Sequence, residues 1–155
     1  MCPRVSKAFT LIEVMIVMAI LSVMALGSLN YQYYAVKHVQ IARAQMVATR
    51  ITQMLLEDWK STGGNLSYDP TALGIGFTGT FSALTPGGGS VTYHITQDGI
   101  PITVALSCAN VVEGTTTLPL MQITVTARWR KDFGTGTIGD SDPSLQYTTY
   151  VRIDT

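Results

Sequence analysis

Charge is scarce in this chain. Ten Lys or Arg and ten Asp or Glu make up 13% of 155 residues and cancel to a formal net charge of zero. Nucleic-acid binding draws on cations arrayed against phosphates, so the lack of a basic face removes its electrostatic basis, and no aromatics interleave with Lys or Arg as a stacking platform. Histidine is nearly absent too. His38 stands beside Lys37 and His94 falls on the polar phase of a predicted strand, neither with a nucleophile or second metal ligand at helical or hairpin spacing. No catalytic residues, no metal ligands and no cofactor are expected, and the chain reads as a non-enzyme. The only cysteines are Cys2 and Cys108. Cys108 ends an alternating apolar run, which favours a buried small hydrophobe over a free thiol available to another molecule.

What the chain has in excess is apolar surface, and much of it is concentrated near the amino terminus. An apolar run extends from Phe9 to Leu29, and Glu13 is the only formal charge between Lys7 and Lys37. A carboxylate at the centre of a bilayer costs about 2.5–3.5 kcal/mol, so Glu13 signals a function with a partner to be found. A helix from Phe9 to Val36 is long enough to cross a hydrocarbon core of about 30 Å. Tyr31, Tyr33 and Tyr34 fall where an interfacial aromatic belt belongs, and Arg4 and Lys7 ahead of the run place the amino terminus in the cytoplasm and the rest outside. An ordinary secretory signal is the competing reading, since Ala25 and Gly27 offer small residues near the end of the run. It leaves Glu13 unexplained.

The stretch Lys7-Ala8-Phe9-Thr10-Leu11-Ile12-Glu13 resembles the processing and methylation site of type IV pilins and type II secretion pseudopilins. Those proteins usually carry Gly before the scissile bond, where this chain has Ala8. The resemblance implies a basic leader over residues 1–8, its removal by the prepilin peptidase between Ala8 and Phe9, and N-methylation of Phe9. It also implies an inner-membrane assembly platform, other pilin or pseudopilin subunits as partners, and a Glu13 that pairs with a neighbour's new amino terminus. Removing water strengthens the attraction between ammonium and carboxylate, but each charge alone is a burden. The pair therefore offsets its own desolvation only at the correct stagger, which makes it a register device.

Helical patterning continues past the interface. Ile41, Ala44, Ala48, Ile51 and Leu55, widened by Val47 and Met54, form one stripe, while Arg43, Arg50 and Glu57 recur on a polar face. Ser61-Thr62-Gly63-Gly64-Asn65 supplies the stop. The expectation is a membrane and assembly helix over 9–36 and an amphipathic continuation over 37–62, together roughly 80 Å long at the standard rise. Gly27, Ser28 and Asn30 lower helix propensity. From the family resemblance, the helix is expected to be continuous in the free subunit and to loosen around Ser22 to Asn30 in a filament.

Residues 63–155 read as an exported β domain. The first part, Gly63 to Ser90, is rich in Gly, Thr and Ser and reads as a long connection or weakly ordered loop. Within it, Gly74-Ile75-Gly76-Phe77-Thr78-Gly79 matches G-x-G-x-x-G in form, but Pro86 and the run Gly87-Gly88-Gly89 block the helix that a nucleotide site needs next. Beyond it, residues alternate with period two. Val91, Tyr93 and Ile95 form one face, Asp98-Gly99 signals a hairpin, and Ile102, Val104, Leu106 and Cys108 form the next. Met121, Ile123, Val125, Ala127 and Trp129 follow, then Leu145, Tyr147, Thr149, Val151 and Ile153. A sheet with one dry face is implied, covered by the helix stripe. The fold class is α+β: one long helix against an antiparallel sheet of about four strands.

Leu118-Pro119-Leu120 leading into Ile123 to Arg130 is similar to a strand of I-type minor pseudopilins and PilV-like minor pilins, which leans the reading towards a minor subunit. Asp140 and Asp142 lie in a Gly-rich loop without the further spaced oxygens of a calcium site. The expected function is therefore a structural subunit of a type IV pilus or type II secretion pseudopilus. It would be held in the inner membrane by a single span in contact with lipid, its carboxyl-terminal domain outside the cytoplasm. The alternative is a membrane-anchored exported binding domain, with its ligand site on the Phe77-to-Pro86 loop or the polar sheet face.

Overall fold

A computed structural model describes residues 10–113, 116–131 and 136–152. The leader with Ala8, and Phe9 after it, lie outside the described residues, as does Ile153. The chain divides into two compact units, Met1–Gln40 and Ile41–Thr155. The helix α1, Leu11–Ser61, begins in the first and ends in the second.

In the first unit the described residues are helical from Leu11 onward and all exposed. Leu11 is 82% exposed and Val23 72%, although both belong to an apolar segment long enough to cross a membrane. The helix runs without interruption through Gly27, where an added Cβ would meet nothing within 4 Å. Continuity in the free subunit is thus as expected. One internal weak point is present: Ser22 Oγ donates to the Met18 carbonyl at 2.8 Å, a back-bond that competes with the helix ladder.

In the second unit the expected stripe is buried and wider than its pattern suggests. Ala44, Val47, Ala48, Ile51 and Leu55 are joined by Thr52, Leu56 and Trp59, whereas Ile41 and Met54 are half-buried. Thr52 enters the core because its hydroxyl donates to the Ala48 carbonyl at 2.7 Å and so needs no outside partner. Trp59 is fully buried, with its indole Nε1 donating to the Asn65 carbonyl at 3.2 Å. The helix stops in a Schellman motif: Gly64 N donates to the Trp59 carbonyl at 3.1 Å and Gly63 N to the Lys60 carbonyl at 3.0 Å. Both glycines have positive φ, +70° and +77° for Gly63 and Gly64.

The sheet is an antiparallel meander in the order β1-β2-β3-β4. Its strands are β1 (Val91–Gln97), β2 (Ile100–Glu113), β3 (Thr116–Trp129) and β4 (Ser144–Arg152). Asp98 and Gly99, at φ +53° and +76°, make the two-residue turn between Gln97 and Ile100. Register then places one buried row across the strands, since Tyr93 faces Val104, Val104 faces Ala127 and Ala127 faces Leu145. Most inward residues of β1, β2 and β3 are buried, whereas Val91, Ile100 and the inward residues of β4 are half-buried. Helix stripe and sheet form one core that also includes Cys108. Full burial of a large apolar side chain such as Leu55 or Ile123 contributes about 1.5–3 kcal/mol, and α1 covers the dry face as the α+β pattern requires.

The connection between helix and sheet differs from expectation. A short 3₁₀ helix, Pro70–Leu73, is capped by Asp69, whose Oδ1 accepts from Thr71 N at 3.0 Å. Tyr68, Phe77 and Leu84 are buried in the core, so a stretch of Gly, Thr and Ser is held down by widely spaced apolar anchors.

Candidate functional site

Glu13 sits in the first turn of α1 and is exposed. Thr10 precedes the helix, and its carbonyl accepts from Glu13 N at 3.1 Å and Val14 N at 3.3 Å. Thr10-Leu11-Ile12-Glu13 thus occupies the N-cap to N3 positions of a capping-box pattern, a local signal absent from the sequence reading above. There the partial positive charge of the helix start favours a carboxylate by about 0.3–1 kcal/mol at an exposed site. The local field eases the presence of Glu13 yet leaves its side chain open to an outside cation. Ala8 and Phe9, the expected processing and methylation residues, lie outside the described residues.

The carboxylates Asp140 and Asp142 serve the loop that carries them. Asp140 pairs with Arg128. Asp142 accepts from Gly139 N at 2.9 Å and from Lys131 N at 3.3 Å. The Gly139 amide first, and then that of Lys131, hold the Asp142 carboxyl below its usual pKa. Cys108, 5% exposed, is a free thiol whose pKa burial pushes up. The Tyr68 hydroxyl is buried near Asp58 without a well-formed hydrogen bond, and burial followed by Asp58 raises its pKa.

The glycine motif is used for packing. Gly74 ends the 3₁₀ helix at φ +67°, and no helix follows Gly79. Instead Thr78 and His94 exchange backbone hydrogen bonds of 2.8 and 2.7 Å, laying the loop along the edge of β1. A Cβ on Gly79 would come within 2.9 Å of the Tyr93 ring and 3.0 Å of the Thr92 carbonyl, so only glycine fits this approach. Between loop and strand lies a groove of about 730 Å³.

The described residues therefore offer an exposed apolar helix with one carboxylate in its first turn, and a polar groove beside β1. No curated protein and no solved structure matches the chain. Residues 3–29 match the family model described as the prokaryotic N-terminal methylation motif. That motif implies processing by prepilin peptidase and assembly with other pilin subunits, and together with the apolar helix it supports a type IV pilin-like, pseudopilin-type exported subunit with a single membrane anchor.

Proposed function

We propose that this chain is a structural subunit, in a minor role, of a type IV pilus or type II secretion pseudopilus. It is processed between Ala8 and Phe9, methylated at Phe9, and assembled through its amino-terminal helix, with Glu13 paired to the amino terminus of a neighbouring subunit. The single observation that carries this reading is the apolar segment of α1 in the first unit, wholly exposed in the free subunit and bearing one carboxylate in its first turn. Such a surface needs lipid before assembly and other subunits afterwards. The organisation that follows is a leader over 1–8, an assembly helix over 9–36, an amphipathic continuation over 37–62 and an exported β domain over 63–155. The amino terminus begins in the cytoplasm, and the β domain lies in the periplasm or beyond.

The test is the intact mass of the full chain expressed with and without a prepilin peptidase. Loss of residues 1–8 together with the gain of one methyl group is the expected result. A mass unchanged by the peptidase would instead favour a membrane-anchored exported binding domain outside any filament, a reading supported by the groove beside β1.

A further inference from the structure

The groove beside β1 is built rather than left over. Phe77 and Leu84 anchor its loop in the core, and Leu84 N donates to the Leu66 carbonyl at 2.8 Å. A type II turn then folds the far rim: Gly88 N donates to the Thr85 carbonyl at 2.8 Å, with Pro86 leading and Gly87 at φ +72°. Gly87 N ties the turn to the Cys108 carbonyl on β2 at 2.9 Å. The rim is thus pinned to the sheet and to the connection that follows the helix.

Hydroxyls dominate the polar part of the lining. Thr80, Ser82, Thr85, Ser90 and Thr92 contribute hydroxyl side chains, His94 contributes an imidazole, and no Lys, Arg, Asp or Glu is among the lining residues. Elsewhere the chain spends hydroxyls on its own backbone, as at Ser22, Thr49, Thr52, Ser61 and Thr62. In the groove, among the described residues, none of the five hydroxyls makes such a bond. His94 Nδ1 lies 3.1 Å from Thr103 Oγ1, which orients the ring and leaves Nε2 for another partner. Ala83 and Val91 complete the lining with small apolar surface beside the hydroxyls.

We propose that this groove binds a neutral glycan. Hydroxyls that donate and accept match a ligand made of hydroxyls, whereas a lining without Lys, Arg, Asp or Glu gives little Coulombic reward to a phosphate, carboxylate or ammonium. Bare glycine on the rim lets the sugar approach the backbone. Ala83 and Val91 supply the apolar contact for the C–H face of a pyranose. The site does not depend on cleavage at Ala8, so it stands or falls separately from filament assembly.

The experiment uses the full chain in a sugar-free detergent, because alkyl-glycoside detergents would compete. Maltotetraose and chitotetraose are titrated while backbone amide shifts are followed, with trigalacturonate as the anionic comparison. The expected result is saturable binding of at least one neutral tetraose at millimolar concentration, with shifts centred on residues 79–94. Gly89→Phe places a ring in the groove, and an added Cβ at that position meets nothing within 4 Å, so the fold is retained while binding weakens at least tenfold, or roughly 1.4 kcal/mol. Ser90→Ala/Thr92→Val removes two hydroxyls and weakens binding roughly tenfold on its own. If neither neutral sugar shifts these amides, if the shifts centre elsewhere, or if trigalacturonate binds more tightly, the proposal is overturned. Unchanged affinity in a folded Gly89→Phe chain, or in the double variant should that chain not fold, overturns it equally.

Discussion

Single residues in this protein carry roles set by what surrounds them. Cys108 ends an alternating run on β2 and lies in the core, where burial pushes its thiol pKa up. The reactive thiolate is therefore scarce as well as shielded. In the native chain Cys108 should react with a maleimide at least a hundredfold more slowly than a free thiol near pH 8, and denaturant should abolish the difference. Labelling is read at Cys108 itself, since Cys2 carries a second thiol, and rapid native modification there would contradict its burial. The Asp142 carboxyl shows the opposite balance, held ionised by two backbone amides at an exposed site. Burial was legible for Cys108 because strand alternation is local. The use of Asp142 as a loop clamp was not, because Lys131, at the far side of the connection, reaches it only once β3 and β4 are joined.

At the scale of elements, the end of α1 decides how the sheet can meet it. An added Cβ at Gly64 would lie 3.1 Å from Val151 Cγ1 and 3.3 Å from Trp59 Cζ2, at a φ of +77°. Gly63 has a similar φ, but nothing lies within 4 Å of its added Cβ. Gly64→Ala should lower stability by about 1–3 kcal/mol, from backbone strain plus crowding, and Gly63→Ala by less, from strain alone. Thermal melting of the two full-length variants in detergent checks the order, and equal costs would mean that the contact with Val151 yields freely. Further up the helix, the Ser22 back-bond and the residues Gly27, Ser28 and Asn30 mark where the ladder is easiest to open. Loss of helical hydrogen bonds between Ser22 and Asn30 is expected in an assembled filament. A filament map with an unbroken helix through Gly27 would refute it.

For the molecule as a whole, the two units differ in what covers them. The buried residues lie in Ile41–Thr155, whereas the described part of Met1–Gln40 buries none of its side chains. The first unit must therefore be completed by lipid or by other chains, and Glu13 is its one charged group between Leu11 and Val36. Glu13→Ala should insert into the membrane as well as the parent chain, since the change removes a carboxylate from an apolar segment. On the proposed pairing it should fail to enter filaments, because a neighbour's ammonium would then lose its partner. Membrane fractionation and filament shearing measure the two outcomes separately, and normal incorporation would defeat the pairing argument.

The sequence by itself determined the apolar helix with its lone Glu13, the resemblance to a methylation motif, the amphipathic continuation and the strands with one dry face. All of these rest on periodicities or short motifs that act within a few residues. Only the tertiary structure decided that Tyr68, Phe77 and Leu84 anchor a Gly-, Thr- and Ser-rich stretch, that Trp59 and Leu56 extend the core, and that five Ser and Thr residues line one groove beside β1. Isolated apolar residues carry no period, and the pairing of Thr78 with His94 joins positions far apart along the chain. Such contacts exist only after the sheet has formed an edge for the loop to lie against.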